Sequence, residues 1–262
     1  MQIHAVQFDI VWEDREANHR KVRDLVATAP LVPGDMIVLP EMFDVGFSMN
    51  TARTAQPADL PSDHFVAELA SATECCVVAG IVSPLLGDRP ANEAIAITPD
   101  GDEIARYRKM RPFTLGDEHE QFLPGDHHVR FAWADMQFAP FICYDLRFPE
   151  LYRPAAIAGT QVLLTIANWP DKRSEHWVRL LQARAIENQA YVLGVNRCGQ
   201  DPNLTYGGRS ALFDPLGVTI FECDGEEQVA SGELDAAVVQ QWRKNFPALA
   251  DAIQTRVDRL VE

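Results

Sequence analysis

Short, continuous apolar runs alternate with longer segments that carry a single apolar stripe, and this alternation limits the fold more than any other feature of the chain. Residues 2–8 read as a buried strand, and residues 14–29 as a helix with Ala17, Leu25, Val26 and Ala29 turned inward. Residues 36–39 form a short strand. Ser62 caps a second helix whose Phe65, Val66, Leu69 and Ala70 share one face, and residues 77–82 return as a strand. A hairpin of residues 93–97 and 103–107 turns at Pro99-Asp100-Gly101. Strands at 129–133, 137–142, 162–166 and 191–195 then enclose helices at 149–158 and 173–189. A second hairpin pairs 209–213 with 218–222 across Asp214-Pro215-Leu216-Gly217, and a last helix spans 236–260. Helices interleaved with strands early, and hairpins late, predict a layered α/β sandwich with mixed sheets.

No repeat, low-complexity tract or long linker interrupts the 262 residues, so 1–262 is expected to be one domain. A chain of this size buries a core without disulfide or metal staples. Its 23 Lys+Arg against 38 Asp+Glu give a net charge of −15, which excludes nucleic acid and anionic membrane surfaces as partners. The same balance raises a question about any acidic substrate, which an acidic protein should repel. The first eight residues lack the basic and apolar regions of a signal peptide, and no apolar stretch is long enough to span a membrane, so a cytoplasmic protein is expected. Cys75, Cys76, Cys143, Cys198 and Cys223 are odd in number and irregularly spaced, which fits no disulfide framework. His127-His128 lacks the i,i+4 spacing of a helical metal site, and no metal is expected.

Polar residues just beyond strand ends are the places to look for chemistry. Glu41 follows Ile37-Val38-Leu39-Pro40, Lys109 follows the first hairpin, and Cys143 ends the run Phe138-Ala139-Pro140-Phe141-Ile142. Singly, these read as a loop glutamate, a surface lysine and a small core residue. Cys143 differs from the other cysteines because a turn and then a helix follow it, a junction where a nucleophile projects beside a backbone N–H.

Taken together, Glu41, Lys109 and Cys143 with its following Tyr144-Asp145-Leu146-Arg147-Phe148-Pro149 resemble the nitrilase superfamily of carbon–nitrogen hydrolases. The resemblance runs through Ala5-Val6-Gln7-Phe8-Asp9, Asn168-Trp169-Pro170, Ala183-Arg184-Ala185-Ile186-Glu187-Asn188, Gly208-Arg209-Ser210 and Pro215-Leu216-Gly217. It implies a single carbon–nitrogen hydrolase domain over 1–262 with a four-layer α-β-β-α sandwich. It also implies homodimers stacked through the helices that begin near Pro149 and Arg173. The implied chemistry needs no cofactor. Cys143 is the nucleophile, Glu41 the general base, and Lys109 with the backbone N–H of Tyr144 stabilises the oxyanion. A second glutamate orients the lysine; Asp117, Glu118 and Glu120 compete for that place, and Glu120 fits the spacing to Phe122, Pro124 and Gly125.

The run Glu41-Met42-Phe43-Asp44-Val45-Gly46-Phe47-Ser48-Met49 is similar to bacterial ω-amidases, which hydrolyse the terminal amide of short 2-oxo dicarboxylic acid monoamides such as 2-oxoglutaramate and 2-oxosuccinamate. Asp44-Val45 stands where small polar residues are usual, which leaves the substrate's size open. A small amide bearing a carboxylate needs an apolar slot and a cation. Phe43, Phe47 and Trp169 are candidates for the slot, Asn168 for a polar wall and Arg173 for the cation; Arg147 is the other candidate for the cation, with bracing of the elbow through Asp145 or Glu150 the favoured reading for it. The alternative substrate is a deaminated peptide amide or an N-carbamoyl compound. Arg106, Arg108, Lys109, Arg111, Lys172, Arg173 and Arg147 are expected to make the site region locally positive.

Overall fold

The computed structural model describes residues 1–254. Strands β1 (Gln2–Gln7), β2 (Met36–Val38), β3 (Cys76–Val82), β4 (Asn92–Ile97) and β5 (Glu103–Arg108) are interspersed with helices α1 (Arg15–Val26), α2 (Thr51–Thr54) and α3 (Pro61–Thr73). After the one-turn α4 (Glu118–Gln121) come β6 (Phe131–Trp133), β7 (Met136–Ile142), α5 (Pro149–Ile157), β8 (Val162–Ala167), α6 (Ser174–Asn188) and β9 (Tyr191–Asn196). Five short strands follow: β10 (Cys198–Gln200), β11 (Thr205–Gly207), β12 (Ala211–Phe213), β13 (Thr219–Glu222) and β14 (Gln228–Glu233). Helices α7 (Ala236–Asn245) and α8 (Ala248–Gln254) come last.

Two six-stranded sheets result, ordered β14-β1-β2-β3-β4-β5 and β13-β12-β9-β8-β7-β6, with β10-β11 a separate hairpin. Their centres, β1-β2-β3 and β7-β8-β9, are parallel, and the flanking pairs are antiparallel. Side-chain alternation in the first sheet decides the layering. Ala5, Met36, Val38, Cys76, Val78, Ala94, Ala96 and Ala105 join the core shared with Phe138, Ile142, Leu164 and Ile166 of the second sheet, while Phe141 turns outward onto Tyr152 of α5. The alternate positions Val6, Ile37, Val77, Ala79, Ile81 and Ile95 instead pack with Val22, Val26, Phe65, Val66 and Leu69 of α1 and α3. Helices α5 and α6 cover the outer face of the second sheet. Gly194 lets α6 sit close, since a Cβ there would lie 2.3 Å from Leu181 Cδ1 and 2.7 Å from Trp177 Cζ2. The four-layer α-β-β-α sandwich is therefore the observed fold.

Three local expectations are corrected. Helix α3 begins at Pro61, whose fixed φ and missing N–H suit a first helical position, and Leu60 precedes it without a side-chain cap. Ser62 lies inside the helix, with its hydroxyl bonded to Asp44. Strand β14, absent from the sequence reading, pairs antiparallel with β1 from Gln2↔Glu233 to Gln7↔Gln228 and brings the late chain back beside its start. The last helix is interrupted between Asn245 and Ala248, where Pro247 cannot continue the backbone ladder, and 255–260 of the expected helix lie outside the described residues. Among the described residues, no helix is long and apolar enough to cross a membrane.

Candidate active site

The three candidate residues converge from the ends of three strands. Beyond β2, the Phe43 N–H donates to the Gly80 carbonyl at 2.9 Å, and the Gly80 N–H to Pro40 at 3.2 Å. A Cβ on Gly80 would sit 2.5 Å from Glu41 Cα and 2.7 Å from Pro40 O, so only glycine admits this approach. Beyond β5, the Lys109 N–H donates to Asn92 O at 2.9 Å, and its carbonyl accepts from Gly125 at 2.8 Å, which fixes the lysine's exit. Beyond β7, Cys143 has φ +46°, a conformation that a side-chain-bearing residue holds only when its surroundings enforce it. It opens the 3₁₀ turn Cys143–Arg147, and α5 follows at once.

These ends meet in a buried polar floor. Lys109 Nζ lies 2.8 Å from Glu41 Oε1 and 2.8 Å from Glu118 Oε2, and all three side chains are essentially inaccessible. Asn92 Nδ2 bridges both carboxylates, at 2.7 Å to Glu41 Oε1 and 2.8 Å to Glu118 Oε1. Glu41 Oε2 accepts the Asn168 backbone N–H at 2.8 Å, and Asn168 Nδ2 donates to the Glu41 carbonyl at 2.6 Å. Glu118 Oε2 also accepts from Phe113 N–H at 2.6 Å. The Cys143 sulfur is 3.9 Å from the Asn168 carbonyl.

Burial works against the Lys109 ammonium, but Glu118 and Glu41 outweigh it and hold the group charged well above its ordinary range. Burial, and then the Glu41 carboxylate, push the Cys143 thiol well above its usual value, with Lys109 opposing. Two carboxylates already face one ammonium here, and a thiolate would add a further negative charge. These surroundings favour the neutral thiol over the thiolate.

Several expected site residues stand elsewhere. Glu120 is exposed on α4, whereas Glu118 is fully buried and bonded to Lys109, so Glu118 takes the place assigned to Glu120. The reason is helical geometry: Glu118 shares a face with the buried Phe122 four residues on, and Glu120 points away. Phe43 is excluded from the slot because it packs in the outer core, ring centroids 5.7 Å from His19 and 5.6 Å from Phe65. Asp44 is buried against Arg15, with Nε at 2.7 Å, and Val45 packs with Met42, Val82 and Phe122, so neither shapes the cleft. Arg106 and Arg108 do not add field at the site, since Asp63, Glu93 and Glu103 pair with them. Asn92, Glu118 and Gly80 are the functional residues that sequence reasoning missed or passed over.

Above the floor, a small cleft opens over Cys143. Phe47, Phe113, Trp169, Leu204 and Tyr206 form its apolar walls, and Tyr144, Asn168, Arg147 and Arg173 also line it. Lys109 Nζ lies 5.2 Å from the Phe47 ring centroid. Arg147 does not brace the elbow: its guanidinium lies 4.7 Å above the Trp169 ring and 3.4 Å from His176 Nδ1. Arg173 sits 5.6 Å from the Phe113 ring. Neither arginine has a carboxylate partner among the described residues. Burial and the neighbouring Arg173 charge both lower the Arg147 pKa, as expected of two cations facing one cleft.

A thiol beside a buried glutamate and lysine is an arrangement that can support nucleophilic acyl transfer. The family model for carbon–nitrogen hydrolases matches residues 2–244. The chain belongs to the carbon–nitrogen hydrolase family. Omega-amidase YafV of Yersinia enterocolitica is 36% identical over 256 residues, which cover 96% of this chain and 96% of that protein. The 2-oxoglutaramate amidase of Bacillus subtilis is 31% identical over 250 residues, 95% of this chain and 96% of that one. Among solved structures, XC1258 of Xanthomonas campestris, a CN-hydrolase superfamily protein with an arsenic adduct in its active site, matches with a TM-score of 0.90. The two are 32% identical, and the match covers 100% of this chain and 98% of that one. This carbon–nitrogen hydrolase is accordingly an amidohydrolase of the nitrilase superfamily.

Proposed function

We propose that the enzyme is an ω-amidase that removes ammonia from the terminal amide of short 2-oxo dicarboxylic acid monoamides, 2-oxoglutaramate and 2-oxosuccinamate among them. The observation that carries this reading is the pair Arg147 and Arg173, two cations without carboxylate partners on the cleft that holds Cys143. Their charge suits a substrate carboxylate, and the apolar walls suit the methylenes between it and the amide. The names of the two similar amidases support the same substrate class.

In the proposed cycle Glu41 takes the Cys143 proton as sulfur attacks the amide carbon. Lys109 and the Tyr144 N–H stabilise the oxyanion, a contribution of about 3–4 kcal/mol per donor in comparable sites. Glu41 returns the proton to the departing nitrogen, ammonia leaves, and a thioester remains on Cys143. Water then attacks the thioester carbonyl as Glu41 accepts its proton. The acid product leaves, and the proton on Glu41 restores the thiol. Glu118 and Asn92 orient Lys109 and Glu41 through this sequence.

A substrate panel tests the reading: 2-oxoglutaramate, 2-oxosuccinamate, glutamine, a simple nitrile and an N-carbamoyl amino acid. Preferred turnover of the two oxo acids with release of ammonia is expected; preferential carbamoyl turnover with carbon dioxide release sinks it. The reading includes pairing of two copies through α5 and α6, for which light scattering should give twice the chain mass.

A further inference from the structure

Asp145, two residues after the nucleophile, is fully buried and has no cationic partner among the described residues. Its Oδ1 accepts the Arg111 backbone N–H at 2.9 Å. Its Oδ2 accepts the Tyr107 hydroxyl at 2.7 Å and the Ile142 backbone N–H at 3.0 Å. The placement of these donors is informative. Tyr107 and Arg111 flank Lys109 by two residues on either side, and Ile142 immediately precedes Cys143. One carboxylate therefore joins the segment leaving the first sheet with Lys109 to the elbow leaving the second sheet with Cys143.

We propose that Asp145 is a positioning residue that fixes the separation of the Lys109 ammonium and the Cys143 sulfur across the seam between the two sheets. It meets neither substrate nor reacting atoms and acts through the backbones it holds. The inference rests on the roles given to Cys143 and Lys109 above. Its chemistry calls for a carboxylate: three donors converge on two oxygens, and a carboxamide supplies only one acceptor oxygen. However an asparagine amide is turned, its NH₂ faces a donor at one oxygen's place, and a buried backbone N–H loses its partner.

The environment also makes the strut sensitive to protonation. Burial raises the Asp145 carboxyl to about 6, opposed by the Ile142 N–H, Tyr107, the Lys109 charge and the Arg111 N–H. The titratable and charged groups around it are Tyr107 on β5, Lys109 beyond that strand, Cys143 at the elbow and Tyr152 on α5. On α6, Arg184 is bonded to the Leu146 carbonyl at 2.7 Å. Tyr107 is held well above its ordinary range by burial and by Asp145, so it remains a donor. Above pH 6 the carboxylate accepts all three bonds. Below it, a proton occupies one oxygen and turns an acceptor into a donor, so kcat should fall on the acid side.

The test is steady-state kinetics with 2-oxoglutaramate from pH 5 to 9 on the full-length enzyme and its Asp145→Asn, Tyr107→Phe and Cys143→Ala variants, with folding checked by circular dichroism. A misplacement of about 1 Å is worth up to ~100-fold. Asp145→Asn should therefore lower kcat about 10- to 100-fold, leave KM within about twofold and abolish the acid limb near pH 6. Tyr107→Phe should lower kcat by roughly 3- to 10-fold. A folded Asp145→Asn with wild-type kcat and an intact acid limb overturns the proposal. If that variant does not fold, an unchanged kcat and acid limb in Tyr107→Phe overturn it equally. Turnover by Cys143→Ala would instead overturn the catalytic reading on which the proposal rests.

Discussion

The floor and the mouth of the cleft hold charge in opposite ways. In the floor, Lys109 is enclosed by Glu41 and Glu118, each 2.8 Å away, and Asn92 ties the two carboxylates together. In the mouth, Arg147 and Arg173 face each other's charge with only rings and a histidine beside them. A closed, matched network in a low-dielectric interior keeps its geometry and cannot spare a member. Unmatched cations beside solvent are held less tightly and stay available to an incoming anion. The contrast separates the residues that should govern chemistry from those that should govern recognition.

The largest expected effect comes from opening the floor. Lys109→Ala leaves two buried carboxylates without their cation, so kcat should fall by at least about 10³-fold. The same change should cost about 3–5 kcal/mol of folding stability, measurable by urea denaturation. Next is the choice between two nearby glutamates. Glu118→Gln should lower kcat by about 10²- to 10³-fold, while Glu120→Gln should stay within about twofold. Equal effects in the two variants would erase the distinction between a buried partner of Lys109 and an exposed neighbour.

Changes in the mouth should show another signature. Arg173→Ala is expected to raise KM for 2-oxoglutaramate by about 10- to 100-fold while sparing kcat, thermal stability and the turnover of an uncharged short-chain amide. A parallel loss on the uncharged amide would show that the arginine serves the chemistry and not the carboxylate. The smallest effect concerns the resting thiol. Burial and Glu41 raise its pKa, so its thiolate fraction is low at neutral pH and grows with each step upward. Iodoacetamide modification of Cys143, followed by mass spectrometry, should quicken about tenfold per pH unit from 7 to 8. A plateau already reached at pH 7 would mean a preformed thiolate.

The floor was legible in the sequence where a polar residue terminates an apolar strand, which is how Glu41, Lys109 and Cys143 stand out. It was less legible where position depends on a single helical turn. Glu118 and Glu120 are chemically alike and two residues apart, and only the burial of Phe122 separates them, through a face that sequence shows weakly over so short a helix. Asn92 opens a hairpin strand and reads as a turn residue until the two carboxylates are seen to need a bridge. Gly80 resembles any small residue in a buried strand, because its purpose lies in a contact with Glu41 from another strand. In the mouth, Phe47, Trp169 and Arg173 were found by chemistry alone. Phe43 was not separable from Phe47, since the left-handed Met42 between Glu41 and Phe43 redirects the chain. Strand β14 was missed for a related reason: Gln228, Ser231 and Gly232 carry little strand signal, and pairing with β1 supplies the rest.

Under the proposed function, the question of an acidic chain meeting an acidic substrate has a local answer in the two arginines, which have no carboxylate partner among the described residues. Fields from distant surface carboxylates are screened within about 8–10 Å in physiological salt, so the net charge of −15 weighs little at the cleft.

The division of the reaction centre between two sheets has a consequence for how the enzyme comes into being. Glu41 is bonded to a backbone N–H 127 positions further along the chain, so neither half of the polypeptide contains a working set. With the roles proposed for Cys143 and Glu41, a half-folded chain presents a thiol without its base and a base without its thiol. On that proposal, competence requires the two sheets to be docked, a contact between segments far apart in the chain.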